Sequence, residues 1–547
     1  MTVKSINLRY RCIKSSQKFA DIYDFISLSA SDLSVYCSRN DVMTLNLFTR
    51  EFLCRWLPSH IRFPFSSNCI HDASSLFRLF ILPFNYFLLH TRSRYSSSPI
   101  AMDYVEKLIR PEQLPHLIED ALDFAHCNGL VIRTAEHKNR SDVCQNAPLA
   151  LLPSPFPRKL FEQGMNVQLA MNLLYFKISW DSEFLIEAHS DVVHEDEFTR
   201  RMVDCYRKAT AEGGPRQKLM LLTQRSDYMC HVEGKDKEPQ LKQIEVNNIA
   251  VSMGGLAQRA TLLHRRLLSK LRVAQKEIEL RIPDNHPVEL LAKALKFNNP
   301  KAAVLVVVED VNQNQCDQRY IEYELERLAG SHLKIIRNTF TQSYEKLFLN
   351  ENGDLQHADY SDGPIGLVYF RAGYAPDHYH GEREWDARLR MELSSAIKCP
   401  WIGLQLANTK KVQQVLAKPG VVERFLEDPD QVRNVRATFA GLWGLERDDE
   451  ETEAVVRDAI EHPELYVLKP QLEGGGGNFY GSDITEKLRK FTLRERAAHI
   501  LMQRIKPLVV KVLANRSSGH ILRSKAEHVN EGGVAVGAAV IDTPYLF

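Results

Sequence analysis

Four consecutive glycines, Gly474, Gly475, Gly476 and Gly477, stand between Lys469 and Glu473 on one side and Asn478 and Tyr480 on the other, in the stretch LKPQLEGGGGNFY. Such a run leaves backbone N–H groups unshielded and able to curl around an anion, and the lysine ahead of it supplies a point charge. No GK[ST] closes the run and its spacing misses G-x-G-x-x-G, so neither standard nucleotide loop accounts for it. From the glycines alone, a flexible surface loop and a phosphate cradle are equally good readings.

A second constellation lies in LKQIEVNNIA, where alternation puts Gln243, Glu245 and Asn247 on one strand face, opposite Ile244 and Val246. A carboxylate and an amide oxygen two residues apart are hard donors of the kind magnesium takes beside phosphates; the alternative is a solvated strand face. The turn Ser252-Met253-Gly254-Gly255 then opens a helix near Leu256 and could present N–H groups to an anion. Asn314, Gln318 and Arg319 follow the apolar strand AAVLVVVED, at the carboxyl end where ligands bind in α/β folds. Arg371 and Tyr374 hold the same position after the strand of PIGLVYFRAGY. Near the end of the chain, Arg523 and Lys525 alternate to one face ahead of the small residues Gly532 to Ala539, which favours an anion site over packing alone. His378 and His380 form an H-x-H pair without further converging ligands, and a solvent-exposed loop is expected there rather than a metal site.

The elements that must position these groups follow from patterning. At 547 residues the chain exceeds one typical core, and two to four substructures are expected. Lys+Arg 70 against Asp+Glu 69 gives a formal charge of +1, without the sign excess of a nucleic-acid binder. Ten cysteines without a C-x-x-C pair argue against a structural zinc site and a dense disulfide framework, so a reducing, cytoplasmic compartment fits. The most apolar early piece, Leu76 to Leu89, is interrupted by Arg78, Pro83 and Asn85 and is too short to span a bilayer. A basic, Ser-rich start has the composition of a transit peptide, but its Asp residues and length count against that, and a weakly ordered extension over 1–101 is expected.

From Met102 amphipathic helices begin. DYVEKLIRPEQLPHLIEDALDFAHCNGL ends at the C-cap signal Asn128-Gly129, and RKLFEQGMNVQLAMNLLYFKIS and DEFTRRMVDCYRKATAEGG read as scaffold helices. Cys127 and Cys205, on two of these, are expected to be buried structural thiols. The apolar strands alternating with helices from residue 301 predict a compact α/β substructure with a parallel sheet. Lys410 and Lys411 open a helix, an acidic helix covers Asp448 to Glu461, and HILMQRI reads as a strand.

Taken together, QRSDYM, LKQIEVNNIAVSMGGLA, DQRYIEYEL, YFRAGY, QLANTKKVQQ, LKPQLEGGGGNFYG, HILMQRI and LRSKAEH with GGVAVGAAVIDTPY resemble the eukaryotic glutathione synthetase family of the ATP-grasp group, from about Met102 to Phe547. The resemblance implies an α/β (α+β) ATP-grasp fold with an N-terminal helical portion and the first part of the core over 102–300. An inserted α/β substrate-binding domain would occupy 301–408, and the rest of the core, with the glycine-rich lid, 409–547. It implies a homodimeric ligase that joins γ-glutamylcysteine to glycine with ATP and Mg2+ through an acyl phosphate, with no nucleic-acid or membrane partner. Under it, Glu245, Asn247 and Glu473 hold magnesium. Lys410, Lys469 and Lys525 contact the nucleotide, the loop from Glu473 through Gly474–Gly477 to Asn478 closes over it beside Tyr480, and Met502, Gln503, Arg504 and Ile505 border the adenine. Arg225, Ser252, Asn314, Gln318, Arg371 and Tyr374 bind the dipeptide, and Arg523, Val534 and Ala535 lie at the glycine end. Arg225, Lys469 and Arg523 are the cations expected to act on the reacting groups.

Five departures stand out. Ala250 replaces a serine, Ala372 an aspartate, Gly477 an asparagine, and Glu531, which the resemblance places near the nucleotide, an aspartate. After Pro507 the chain lacks a segment longer than a strand and its loop, which in the family carries an acidic nucleotide contact. That loss predicts an exposed sheet edge and weakened ATP binding, and with them an impaired form acting as a binding or dimerisation partner as the alternative to an active ligase.

Overall fold

The computed structural model describes residues 108–211, 215–234, 237–296, 299, 301–330, 332–471, 477–508, 524–525 and 539–547, together with the backbone of short strands at 6–8, 43–45, 86–91, 514–517 and 522–523. Three sheets matter to the site.

The first is parallel and four-stranded, in the order Ile335–Asn338, Ala303–Val307, Ile365–Phe370, Ile397–Cys399. Ala303–Val307 is buried along its whole length, as its unbroken apolar run requires of a central strand. Alternation then sorts its side chains. Val304 and Val306 join Leu291, Ile321 and Leu325 on one face, while Leu305 and Val307 join Phe340, Ala387 and Met391 on the other. Helices therefore cover both faces, and the carboxyl ends of the strands are left to present Glu309, Asn314 and Arg371.

The second is a three-stranded antiparallel sheet, Leu442–Gly444, His499–Gln503, Tyr466–Pro470, in which Lys469 lies opposite Ile500. The glycine run follows Tyr466–Pro470 in sequence. The acidic helix is present as Glu450–Glu461, its N-terminus capped by Asp449 accepting from Thr452 N.

The third has seven strands, in the order Ala514–Ser517, Leu149–Ala150, Val540–Asp542, Leu522–Ser524, Tyr86–Thr91, Arg225–His231, Gln240–Asn247. Tyr86–Thr91 runs parallel to both neighbours, with Leu89 opposite Leu522 on one side and Tyr228 on the other. Arg225–His231 is therefore paired on both sides rather than left as an edge. A strand from ahead of Met102, rich in aromatic and apolar residues, takes the open row of N–H and C=O groups.

The largest core surrounds the helix Arg158–Trp180, against which Trp401 and Tyr206 pack. The helix Leu114–Cys127 ends as its sequence predicts: Asn128 caps it, Gly129 takes a φ of +69°, and Leu130 N returns to Ala125 O. Cys205 is buried and its thiol is pushed up to about 12 by burial, but Cys127 is exposed, because it falls on the outer stripe of its helix. No helix among the described residues is long and apolar enough to cross a membrane.

Candidate active site

Arg225–His231 and Gln240–Asn247 form an antiparallel ladder that pairs Arg225 with Asn247 and Asp227 with Glu245. The register shifts between Asp227 and Tyr228, leaving Ile244 unpaired. This bulge breaks the alternation expected from sequence. Gln243 turns inward, where it meets Met171 Sδ at 3.7 Å and Gln413 Nε2 at 3.4 Å. Glu245 and Asn247 stay together: Asn247 Nδ2 lies 3.5 Å from Glu245 Oε1 and 3.4 Å from Asp227 Oδ2. Arg225 grips the buried Asp227 with both arms of its fork, at 2.8 and 3.1 Å. Asp227 is a residue that sequence reasoning passed over. Its signal was available in the D of QRSDYM, two residues from the arginine and so on the same strand face.

Lys469 is buried and reaches across from the small sheet, placing Nζ 3.2 Å from Ile244 O at the bulge. The glycine loop is clamped at its base by Leu468 and Phe479, which exchange hydrogen bonds of 3.2 and 2.9 Å. Within it Gly477 has a φ of +73°, which favours glycine. Glu473, Gly474, Gly475 and Gly476 lie outside the described residues, as do Glu531, Val534 and Ala535. Asn478 is half-buried, and the Tyr480 ring stands 5.9 Å from the Arg504 guanidinium. Lys410 is buried at the start of the helix Lys410–Leu416, which Thr409 caps. Its neighbour Lys411 turns instead to Glu446 at 2.7 Å, while Lys411 N donates to Gln471 at the root of the glycine loop.

The strand HILMQRI divides its residues. Met502 and Ile505 are buried with Leu442, Ile500 and Ile244, on the side of the bulge. Gln503 and Arg504 face a cavity of about 390 Å³ shared with His231, Trp443 and Tyr466.

At the carboxyl ends of the parallel sheet, Arg371 is buried and gathers three groups. Its Nη1 donates to Val251 O and lies 3.3 Å from the Tyr369 hydroxyl, and its Nη2 is 3.7 Å from Asp317. Asp317 in turn accepts from Met253 N and Gly255 N, both at 2.8 Å, and so caps the helix Gly254–Lys270 from another part of the chain. Ser252 is thereby held in the loop between Arg371 and that helix, where Ala250 and Met253 adopt left-handed φ values of +50° and +76°. Strained non-glycine backbone of this kind persists where surroundings fix it, and it clusters at ligand sites. Two polar atoms here are buried without a hydrogen-bond partner among the described residues, Asn314 Oδ1 and Arg371 Nε. Gln318 accepts from Arg337 at 2.8 Å. The Tyr374 hydroxyl donates to Glu309 at 2.8 Å, and burial pushes its phenol up.

His378 is not the exposed residue expected from sequence. Its Nδ1 accepts from Gly373 N and Ala375 N at 3.0 and 3.3 Å and its Nε2 lies 3.2 Å from Glu309, so it staples the YFRAGY loop; His380 is exposed. Arg523 sits in the strand Leu522–Ser524, opposite Ile541 and His90, and Lys525 follows it half-buried.

A small antiparallel sheet carrying a glycine loop, set by its lysine against a larger sheet that offers carboxylates, defines an ATP-grasp ligase of mixed α/β build. Comparison with known proteins narrows this. The model of the eukaryotic glutathione synthase ATP-binding domain matches residues 111–514 and 509–546. The glutathione synthetase of Xenopus laevis is 38% identical over 474 residues, covering 79% of this chain and 97% of that protein. The human enzyme is 38% identical over 473 residues with the same coverage, and the chloroplastic enzyme of Solanum lycopersicum is 36% identical over 503 residues, covering 84% and 88%. A solved glutathione synthetase-like effector from Globodera pallida, in its apo form, superposes with a TM-score of 0.60 at 27% identity, covering 81% of this chain and 99% of that one. The chain belongs to the eukaryotic glutathione synthases, ligases that make glutathione at the expense of ATP.

Proposed function

We propose that this chain joins the cysteinyl carboxylate of γ-glutamylcysteine to the amine of glycine in a site divided among the three sheets just described. The observation that carries the reading is the meeting of Lys469 with the bulge beside Glu245 and Asn247, which brings a cation from the glycine-loop sheet to a cluster of hard oxygen donors. Glu245 and Asn247, with Glu473 from the loop, would hold magnesium, which would supply charge neutralisation to the reacting groups; carboxylate and amide oxygens are donors that suit that ion. Lys410, Lys469 and Lys525 hold phosphate charge, and Met502 and Ile505 cover the adenine from the bulge side.

The dipeptide carboxylate is ionised at neutral pH, so its attack on the γ-phosphate needs no general base, only positioning and neutralisation. Arg371, Asn314 and Ser252 position the dipeptide, the first two through polar atoms left open within the described residues. Glycine's amine then attacks the acyl carbon of the acyl phosphate. The C–O bond to the phosphate oxygen breaks, inorganic phosphate leaves and can take the amine proton, and Arg225 and Arg523 stabilise the developing oxyanion. The glycine loop, clamped at Leu468 and Phe479, excludes the water that would hydrolyse the acyl phosphate. A homodimer in the cytoplasm, with no nucleic-acid partner, completes the proposal; the formal charge of +1 supports the last point.

The test is ADP release by the full chain with γ-glutamylcysteine, glycine and Mg-ATP, beside Glu245→Gln. Turnover that falls by roughly 100-fold or more in the variant, at an unchanged melting midpoint, is expected. Dipeptide-dependent turnover that survives intact in Glu245→Gln removes the metal role. Absence of any dipeptide-dependent ADP release from the parent chain overturns the ligase reading in favour of an impaired form.

A further inference from the structure

Two neighbouring strands of the parallel sheet carry opposite charges at their carboxyl ends, and the chemistry proposed above uses only one of them. Ala303–Val307 and Ile365–Phe370 run side by side with Val307 opposite Phe370, and Arg371 N donates to Val307 O at 2.8 Å. Arg371 therefore leaves one strand beside the point where the chain runs on from the other to Glu309, across an interstrand spacing of about 4.8 Å. The Arg371 guanidinium is buried, stands 3.7 Å from Asp317, and keeps Nε without a hydrogen-bond partner among the described residues.

Glu309 is half-buried and is held through one oxygen. Its Oε1 accepts from the Tyr374 hydroxyl at 2.8 Å and lies 3.2 Å from His378 Nε2. His378 Nδ1 accepts from Gly373 N and Ala375 N, so the ring proton sits on Nε2 and the imidazole faces Glu309 as a neutral donor. Burial works against charge on Glu309, but the His378 and Tyr374 donors outweigh it and hold the carboxyl below its ordinary value. An ionised carboxylate results, and among the described residues no lysine or arginine pairs with it. Negative charge placed in such a setting calls for a cation from outside the chain.

We infer that Glu309 is a specificity-determining residue that accepts from the α-ammonium of a γ-glutamyl group while Arg371 takes the α-carboxylate beside it. Both charges of that group sit on one carbon, which suits partners on adjacent strand ends. The γ linkage leaves the two charges free together, whereas an α-linked dipeptide has already consumed that carboxylate in its peptide bond. Tyr374 and His378 are positioning residues in this arrangement, since they fix Oε1 and with it the plane of the carboxylate. The inference rests on the dipeptide reading given above and adds to it the acceptor for the ammonium.

Binding to the full chain is measured by isothermal titration calorimetry, which needs no turnover, with γ-glutamylcysteine and with N-glutarylcysteine, the analogue that lacks only the ammonium. The parent should prefer γ-glutamylcysteine by roughly tenfold or more, and Glu309→Gln, similar in size but uncharged, should bring the two ligands within about threefold of each other. Glu309→Asp, which keeps the charge, should retain part of the preference. A preference as large in Glu309→Gln as in the parent overturns the role of Glu309 and leaves the dipeptide reading standing. Equal binding of both ligands by the parent overturns it without recourse to any variant. A parent chain that binds neither ligand overturns the dipeptide reading and this inference with it.

Discussion

The parallel sheet and the small antiparallel sheet each deliver a buried cation to the site, and they do so differently. Arg371 stands at the hub of a wired cluster, with Val251 O, the Tyr369 hydroxyl and Asp317 around it, and Asp317 fixes a helix start in turn. Lys469 crosses from one sheet to another and meets the backbone at Ile244 O, beside a bulge. The first cation is part of what holds its region together. The second is a contact between two sheets that also share an apolar seam, where Met229 and Ile244 pack against Leu442, Ile500 and Met502, so the packing there does not depend on the cation. Removing one should therefore damage the fold, and removing the other mainly the reaction.

Substitutions can break that contrast. Arg371→Ala leaves the buried Asp317 without its cationic neighbour, a change of the kind that costs about 3–5 kcal/mol, and the melting midpoint should drop before any kinetic effect is read. Preserved stability in Arg371→Ala would mean that the cluster is not wired as described. Lys469→Met keeps length and packing; ATP-dependent turnover should fall by roughly 100-fold with the midpoint nearly unmoved. Unfolding in that variant would erase the distinction between the two cations.

The smallest effect is expected in the large sheet that joins the two sides. There Asp542 is fully buried and its carboxyl is pushed up to about 7 by burial, although Ser154, Ser524 and Thr543 N all contact it. A raised value in the native state means that folding favours the protonated acid. That contribution is complete in acid and is lost as pH rises from the ordinary carboxylate range through about 7. The melting midpoint should fall by a few degrees between pH 5 and pH 8, and Asp542→Asn should flatten the fall. A midpoint that climbs over this window in the parent chain would reverse the assignment.

What could be read from sequence divides along the same line. Ala303–Val307 announced a buried parallel strand because both its faces are apolar, and Asn128-Gly129 announced a helix end because only local geometry is involved. The long motifs brought the family and most of the proposed site. Gln243 could not be placed, since the bulge that turns it inward depends on how one strand registers against another. Asp317 and His378 looked like ordinary loop and helix residues, because the backbone groups they satisfy belong to a helix start far back in the chain and to a fold of the YFRAGY loop. Tyr86–Thr91 gave no sign of pairing, as its partners lie far along the chain on both sides.

That strand has a consequence for the order of events during synthesis. It emerges long before one of its two neighbours, Leu522–Ser524, is made. The middle of the seven-stranded sheet thus cannot close until everything between the two strands has left the ribosome. Until then an apolar strand must wait with its hydrogen-bonding row unmatched, a contact of very high sequence separation that is slow to form and open to the wrong partner.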